Sequence, residues 1–500
     1  MRRTVYGFLA LSLLTLACTT ETRIVTKPAE PPVEPDPTAP EPVDPAAPVK
    51  PTPATDPLVI DLGTVKTGVD IEVDIPVGAL GFNIVVEGDN ASFDQAKPFG
   101  IERITDPSGK VVHNNFMPDG GTKETSTASF DTIAAASVPQ SENVSQIVPS
   151  GKWKVRFGVQ NNPTARPALT AKVRVQSSGD GAFHGGTLDL TIHIPAGVKV
   201  DGAIVDPAKA ATNAGLTERI NTFYKVTSQL LGIERGKVTF QTARTSLVDL
   251  DDNEIIDGFA VSTGETDGTQ NMHILLTNSI RQGGESVAIG ISPGIPGAAS
   301  VFGRGVSGII VVPGSTAEDD VLTMIHEMGH FIGLNHTTEF DGKSSDPLKD
   351  TPACPAATIS AHQFQNCPDN TNVMFAAGAL AGPVSLSPTQ KRVYHGSPIY
   401  KALTAGTTKT QSLHAPSASS STSLVLHRSF RTSGAALSPI ETELSSGFCG
   451  LTLPDAAGLV QRHGQTATVA QLRAASADPD LAPFIRGRAN LVLRKLGLQP

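Results

Sequence analysis

The stretch Ser315-Thr-Ala-Glu318-Asp319-Asp320-Val-Leu-Thr-Met-Ile-His326-Glu327-Met-Gly-His330-Phe-Ile-Gly333-Leu-Asn-His336 decides how the rest of the chain is read. Ser315 and Glu318 have the spacing of a capping box, and Glu318, Asp319 and Asp320 put negative charge where a helix leaves its first amides unpaired. A helix is expected to begin here. On it His326 and His330 lie four residues apart, one above the other on a single face, so both imidazoles can reach one metal ion. Gly333 lets the chain leave helical geometry, because glycine tolerates positive φ, and the following turn can return His336 to the same point.

Three neutral nitrogen donors suit zinc and leave a fourth tetrahedral position for water, the arrangement of a catalytic site as opposed to a closed structural one. Zinc lowers the pKa of that water from about 16 towards about 7 and can also polarise a carbonyl. Glu327 is not needed as a ligand; its carboxylate is placed to take the proton of the water as general base and return it to a leaving group as acid. Any one of these histidines alone reads better as a core or surface residue. The joint pattern does not: with Gly333 and His336 in register, chance accounts for roughly one chain in ten thousand of this size.

The extended motif His326-Glu-Met-Gly-His330-Phe-Ile-Gly333-Leu-Asn-His336 resembles that of the metzincin metallopeptidases. Asn372-Val373-Met374-Phe375 is similar to the methionine turn that metzincins carry beneath the metal. Asp346-Pro-Leu-Lys-Asp350-Thr351-Pro352 resembles the D-x-x-x-DTP stretch of the pappalysin-like branch, which includes ulilysin. The resemblance spans residues 184–400. It implies a zinc endopeptidase with His326, His330 and His336 as ligands, Glu327 as base, Met374 as support below the ion, and a protein or peptide substrate. It also makes Asp346, Asp350 and Thr351 candidates for calcium. One departure stands out, since ulilysin-like enzymes have a tyrosine soon after the turn methionine and this chain has Phe375-Ala376.

Five hundred residues exceed what one hydrophobic core usually serves, so several domains are expected. A net charge of -9 without a basic cluster gives no footing for nucleic acid. Aromatics are scarce at 5%, while 47 Gly and 38 Pro favour β structure with many turns and unstructured linkers. Met1-Arg2-Arg3, the short apolar run from Val5 to Leu16 and Ala17-Cys18 read as an export signal, too short and wrongly flanked for a membrane helix. Its small-residue-then-cysteine ending resembles a bacterial lipoprotein box. That implies lipidation of Cys18 and anchoring to the cell envelope, with Thr19 favouring the outer membrane; the plain alternative is a secretory peptide. With Cys18 lipidated, Cys354 and Cys367 are the natural disulfide pair in an oxidising compartment. Cys449 is then a buried thiol or the partner of one of them, and spacing does not decide.

The expected organisation is multidomain: signal 1–18, Pro-rich linker 19–57, β-sandwich 58–178, α+β metzincin-like catalytic domain 184–402, linker 403–436 and a small helical appendage 437–500. The alternating triplets Ile71-Val73-Ile75, Phe82-Ile84-Val86 and Trp153-Val155-Phe157 carry the sandwich, which looks like the jelly-roll modules attached to secreted bacterial peptidases. Its expected role is substrate binding, zymogen protection or mere spacing. His193 and His273 read as packing or surface residues, and Asp249 to Asn253 as a solvated acidic turn. Ser387-Pro388 and Ser438-Pro439 mark helix starts. A monomer is expected. The competing reading is a surface binding lipoprotein that has lost activity, and retention of Glu327 speaks against it.

Overall fold

In the computed structural model, residues 54–500 are described apart from 89–98, 116–127, 131–132, 145–147, 160–166, 252–253, 262–270, 300–307, 315, 340–341, 343, 362, 377–382, 406–436 and 446–455. The stretch read as an export signal, Cys18, most of the Pro-rich stretch, Ser315 and Cys449 therefore lie outside the described residues.

Period-two alternation builds the first unit. Its strands are β1 (Leu58–Val65), β2 (Asp70–Ile75), β3 (Ala79–Gly88), β4 (Phe99–Thr105), β5 (Val111–Asn114), β6 (Ala128–Phe130), β7 (Ile133–Val138), β8 (Gly151–Val159) and β9 (Leu169–Ser177). They form two antiparallel sheets, ordered β1-β9-β3-β7-β6 and β2-β8-β4-β5. Phe82, Ile84 and Val86 from one sheet and Trp153, Val155 and Phe157 from the other fill the space between them. Phe82 meets Trp153 edge-on, ring centroids 5.0 Å apart. The turn between β4 and β5 closes as the Asp106-Pro-Ser-Gly109 spacing predicts: the Asp106 carboxylate accepts from the amides of Ser108 and Lys110, both at 2.9 Å, and Gly109 takes φ +90°.

The second unit alternates strand and helix: β10 (Gly186–Pro195), β11 (Lys199–Val200), β12 (Ala203–Ile204), α1 (Ala214–Leu231), β13 (Ile233–Ala243), β14 (Asp249–Leu250), α2 (Glu254–Val261), β15 (Met272–Leu276), β16 (Ser279–Gln282), β17 (Glu285–Ala288), β18 (Gly290–Ile291), β19 (Gly308–Val311), α3 (Ala317–Ile332), α4 (Ala356–Ser360), α5 (Pro388–Gly396) and β20 (Lys401–Ala402). The main sheet runs β13-β10-β15-β19-β18, parallel until β18, which lies antiparallel to β19 at the edge; β20 pairs with β10. Helix α1 starts where Asn213 caps the Leu216 amide at 3.0 Å and stops at Gly232 in the left-handed region, φ +68°. Its buried Leu216, Ile220 and Phe223 share one core with the strands and with α3. Helix α5 begins at the Ser387 cap and Pro388 as expected, and Gln390 adds the reciprocal bond of a capping box.

Of the acidic stretch from Asp249 to Asn253, residues 252 and 253 lie outside the described residues and the others are partnered. Asp249 sits in β14, paired with Arg281 at 3.1 Å and with Ser279 at 2.6 Å, and the Asp251 carbonyl receives the Glu254 amide where α2 starts. His193 and His273 are both buried on neighbouring strands, and their rings meet at 2.9 Å (Nε2 to Nδ1).

Strand β3 departs from simple alternation because both its faces are covered. Val85, with Ile133 and Ala135 of β7, points away from the sandwich interior and joins a core with Leu247, Phe259, Leu275 and Ile291 of the second unit. The C-terminal helices α6 (Pro439–Ser445), α7 (Ala456–His463), α8 (Gln465–Ala477) and α9 (Pro483–Lys495) have a core of their own around Leu444, Leu472 and Phe484. They are fixed to the second unit through α9 and β17. Buried Arg488 donates to the Val287 carbonyl at 2.6 Å, and Gly487 lies so close that a Cβ there would stand 2.1 Å from the Ser286 carbonyl oxygen.

Two buried imidazoles tie stability to pH. Burial pushes His193 down to about 4. Burial does the same to His395, also to about 4, against the opposing pull of the Leu231 carbonyl that accepts from its Nε2 at 2.8 Å. Both rings titrate lower in the folded than in the unfolded chain, so their stabilising share is complete above pH 6.5 and is lost as pH falls towards 4. Each contributes on the order of 3 kcal/mol at most. Urea unfolding of metal-free protein is expected to give a lower unfolding free energy at pH 4.5 than at pH 7, and His395→Gln is expected to flatten that slope.

Candidate metal centre

Helix α3 is held before its histidines are reached. Thr316 is the N-cap, accepting the Asp319 amide at 3.1 Å, so the start falls one residue later than the Ser315 and Glu318 spacing predicts. Thr316 Oγ1 in turn donates to the Asp319 carboxylate at 2.9 Å, and the Asp320 carboxylate is engaged by the Gly314 amide and by buried Arg219 of α1. Arg219 also grips Asp201 at 2.8 Å. Burial opposes its charge, yet the two carboxylates hold the guanidinium above its ordinary pKa. Gly333 ends the helix at φ +111°, and Leu334 donates back to the Gly329 carbonyl at 2.9 Å.

That turn brings the third histidine home. The Nε2 atoms of His326, His330 and His336 lie 3.0–3.2 Å from one another, all three rings buried. Each Nδ1 faces an acceptor: the Val373 carbonyl for His326 at 2.7 Å, the Leu334 carbonyl for His330 at 2.8 Å, and a Glu339 carboxylate oxygen for His336 at 3.0 Å. A carbonyl or carboxylate can only accept, so the protons sit on Nδ1 and three Nε2 lone pairs converge. Burial, then the neighbouring His336, push the His330 pKa well below its ordinary value despite the opposing pull of the Leu334 carbonyl, and so favour the neutral ring that a ligand needs. Three nitrogens bound tetrahedrally to one zinc would be about 3.3 Å apart. The donor set and its outer acceptors fit that ion.

Three glycines and a methionine define what surrounds the ligands. Met374 packs beneath them: a Cβ on Gly329 would stand 2.3 Å from its sulfur. The turn bearing Met374 is fixed by Asn372, whose Oδ1 accepts the Met374 amide at 2.8 Å and whose Nδ2 donates to Gln390 at 2.8 Å. Glu327 is fully buried on α3 beside the ligands. Edge strand β18 crosses it so closely that a Cβ on Gly290 would fall 2.9 Å from the Glu327 Cγ and Oε1. Gly297, just beyond that strand, likewise lies against the Phe331 ring.

Of the proposed calcium residues, Asp346 and Thr351 meet, while Asp350 has other partners. Asp346 accepts Thr351 Oγ1 at 2.5 Å and the Leu348 amide at 3.2 Å, closing its own turn. Asp350 instead turns to the start of α5, accepting from Ser387 Oγ at 3.0 Å and the Thr389 amide at 2.8 Å, a carboxylate used at a helix N-terminus. The oxygen cage that calcium requires is thus not formed by Asp346, Asp350 and Thr351. Cys354 and Cys367 form the expected disulfide, so their proximity to Asp369 is not a metal site. Phe375 packs into the core around that bridge.

Several residues that matter here were not read from the sequence. Glu339, three positions after His336, is one carboxylate among many until the fold selects it. Asp369 is buried and accepts from the Thr337 and Thr338 hydroxyls at 2.7 and 2.8 Å, clamping the chain just after the third ligand. Gly290 is one of many glycines between residues 283 and 308, and composition singles out none of them.

Residues 304–381 match the Peptidase_M43 family model, described as Pregnancy-associated plasma protein-A. Two solved structures align at 16% identity and a TM-score of 0.22: archaemetzincin from Methanopyrus kandleri, over 43% of this chain and 89% of that one, and metalloproteinase-II from Bacteroides fragilis, over 33% and 47%. Likenesses that loose have no bearing on function. No curated protein matches the chain. The family match and the three-histidine group together support a zinc metallopeptidase.

Removing an outer acceptor is expected to loosen the ion. Glu339→Ala should weaken zinc binding about 10- to 100-fold, measured by competition with a chromophoric chelator. Gly329→Ala should act in the same direction by displacing Met374 and, with it, the Val373 carbonyl. Wild-type affinity in both variants would mean that the acceptors do not set the ligands.

Proposed function

We propose that this chain is a zinc-dependent metalloendopeptidase of the pappalysin-like kind, hydrolysing peptide bonds of extracellular proteins. The observation that carries the proposal is the convergence of three deprotonated Nε2 atoms, each ring fixed by an acceptor on its other nitrogen. In this reading His326, His330 and His336 hold the ion, which when bound supplies the Lewis acidity that acidifies a water and polarises a carbonyl. Glu327 accepts the proton of the attacking water and hands it to the departing amine. Its full burial, with Gly290 of the edge strand packed against it, favours that role by keeping the carboxylate beside the ligands and out of bulk water.

Substrate enters this scheme as an added strand. β18 is the antiparallel edge of the sheet and runs beside Glu327, so an extended peptide can pair with the edge through its backbone. Phe375 has no hydroxyl to offer at the place where ulilysin-like enzymes carry a tyrosine. A group other than a tyrosine from that position would have to stabilise the developing oxyanion.

The proposal extends to the whole chain: an accessory β-sandwich over 58–178, a catalytic domain over 184–402 and a helical region over 437–500, tethered to the bacterial envelope through a lipidated Cys18. The Met1–Cys18 sequence and the Pro-rich stretch after it support the tether. Among the described residues no helix is long and apolar enough to cross a membrane.

Metal analysis and casein cleavage, wild type against Glu327→Ala, test the proposal together. One zinc per chain in both proteins is expected, with activity lowered about 10²- to 10⁴-fold in the variant. Zinc in both and cleavage in neither would instead favour an inactive surface-binding protein.

A further inference from the structure

We propose that the turn at residues 140–143 of the N-terminal two-sheet unit is a working part of the metal centre, with Ser141 and Glu142 as positioning residues for the loop that delivers His336. The inference rests on the zinc reading above and assigns to the accessory unit a role other than spacing.

The loop between the second and third ligands is gripped along its length by this turn. The Ser141 amide donates to the Gly333 carbonyl at 2.8 Å. The Asn335 amide donates to Ser141 Oγ at 3.0 Å, and Asn335 Nδ2 to Glu142 Oε1 at 2.8 Å. Between Gly333 and Asn335 lies Leu334, whose carbonyl orients His330; immediately after Asn335 comes His336. Three hydrogen bonds from a partner 192–194 residues away in sequence therefore bracket one outer acceptor and one ligand. Gly333 is fixed twice over, by its left-handed φ and by proximity, since a Cβ there would lie 2.7 Å from Gln140 Cβ.

The turn can hold the loop because it is itself held. Gln140 Oε1 accepts the Ser137 amide at 3.0 Å, Asn143 Oδ1 accepts the Gln140 amide at 2.8 Å, and Asn143 Nδ2 donates to the Ser137 carbonyl at 2.9 Å. Gln140 Nε2 donates to Glu142 Oε2 at 3.1 Å and so aims the carboxylate. Ser137 belongs to β7, whose outward Ile133 and Ala135 are packed into the shared core, so the turn is anchored to both units. Ser141 and Asn335 are buried, so no water replaces these partners when they are removed, and the loop must move or leave polar groups unsatisfied.

The test uses the full chain and zinc alone. Chelator competition gives the zinc dissociation constant of wild type, Ser141→Ala, Glu142→Ala, their combination and Glu142→Gln, which keeps an acceptor for Asn335. Asp70→Asn serves as a control, because it breaks exposed ion pairs with Arg103 and Arg156 on the other sheet. The double variant is expected to bind zinc about tenfold more weakly, each single variant less so, and Glu142→Gln to recover most of the Glu142→Ala loss. Should the double variant not fold, the single variants carry the comparison. Wild type that takes up no zinc would overturn the zinc reading itself. Stoichiometric zinc in wild type with unchanged constants in the variants, or an equal loss in Asp70→Asn, would overturn the positioning role alone.

Discussion

Three imidazole lone pairs that face one another across about 3 Å repel, and the fold of this chain is arranged so that they cannot turn away. Each ring is fixed from behind by a proton it donates, to Val373, Leu334 and Glu339. Those acceptors come from three different places: the methionine turn, the loop after the helix, and the stretch beyond the third histidine. A neutral cluster of this kind is a poor arrangement for the protein by itself and a good one for a divalent ion, whose charge converts mutual repulsion into shared attraction. Metal affinity is then set largely by how firmly the acceptors are kept in place.

What the sequence made legible was local. His326 and His330 are one helical turn apart, and Gly333 supplies the reversal that His336 needs, so three ligands follow from one short window. Ser387 and Ser438 announced their helices for the same reason, because a cap and its reciprocal partner are three residues apart. Where a distant group intervened, the local reading slipped. Asp350, read as a calcium oxygen, is claimed by a helix start 39 residues on.

The same distinction explains the N-terminal unit. Alternation at Phe82, Ile84 and Val86 identifies a strand with one buried face, and that much is correct. The second buried face of β3 depends on Leu247, Phe259 and Ile291, which only the tertiary fold brings to Val85. Asn83 shows how complete the attachment is: buried in β3, it accepts the Ala299 amide at 3.2 Å and donates to the Ser137 hydroxyl at 2.9 Å. The two units are thus joined both by shared core residues and by buried hydrogen bonds.

Helix α3 draws these threads together, because its residues are buried almost all round. A surface helix can tolerate neighbours of many shapes; one enclosed on every side restricts them. The places where backbone or sulfur comes nearest are glycines: Gly329 against Met374, Gly290 against Glu327, Gly297 against Phe331 and Gly333 against Gln140. Each removes a side chain where two elements must approach closely, and the four contacts come from the methionine turn, the edge strand, the loop beyond it and the N-terminal unit. A methyl group at any of them would push a different element off the helix. The geometry of three nitrogens is thus maintained from four directions at once, and the ligands themselves account for only part of what makes the centre.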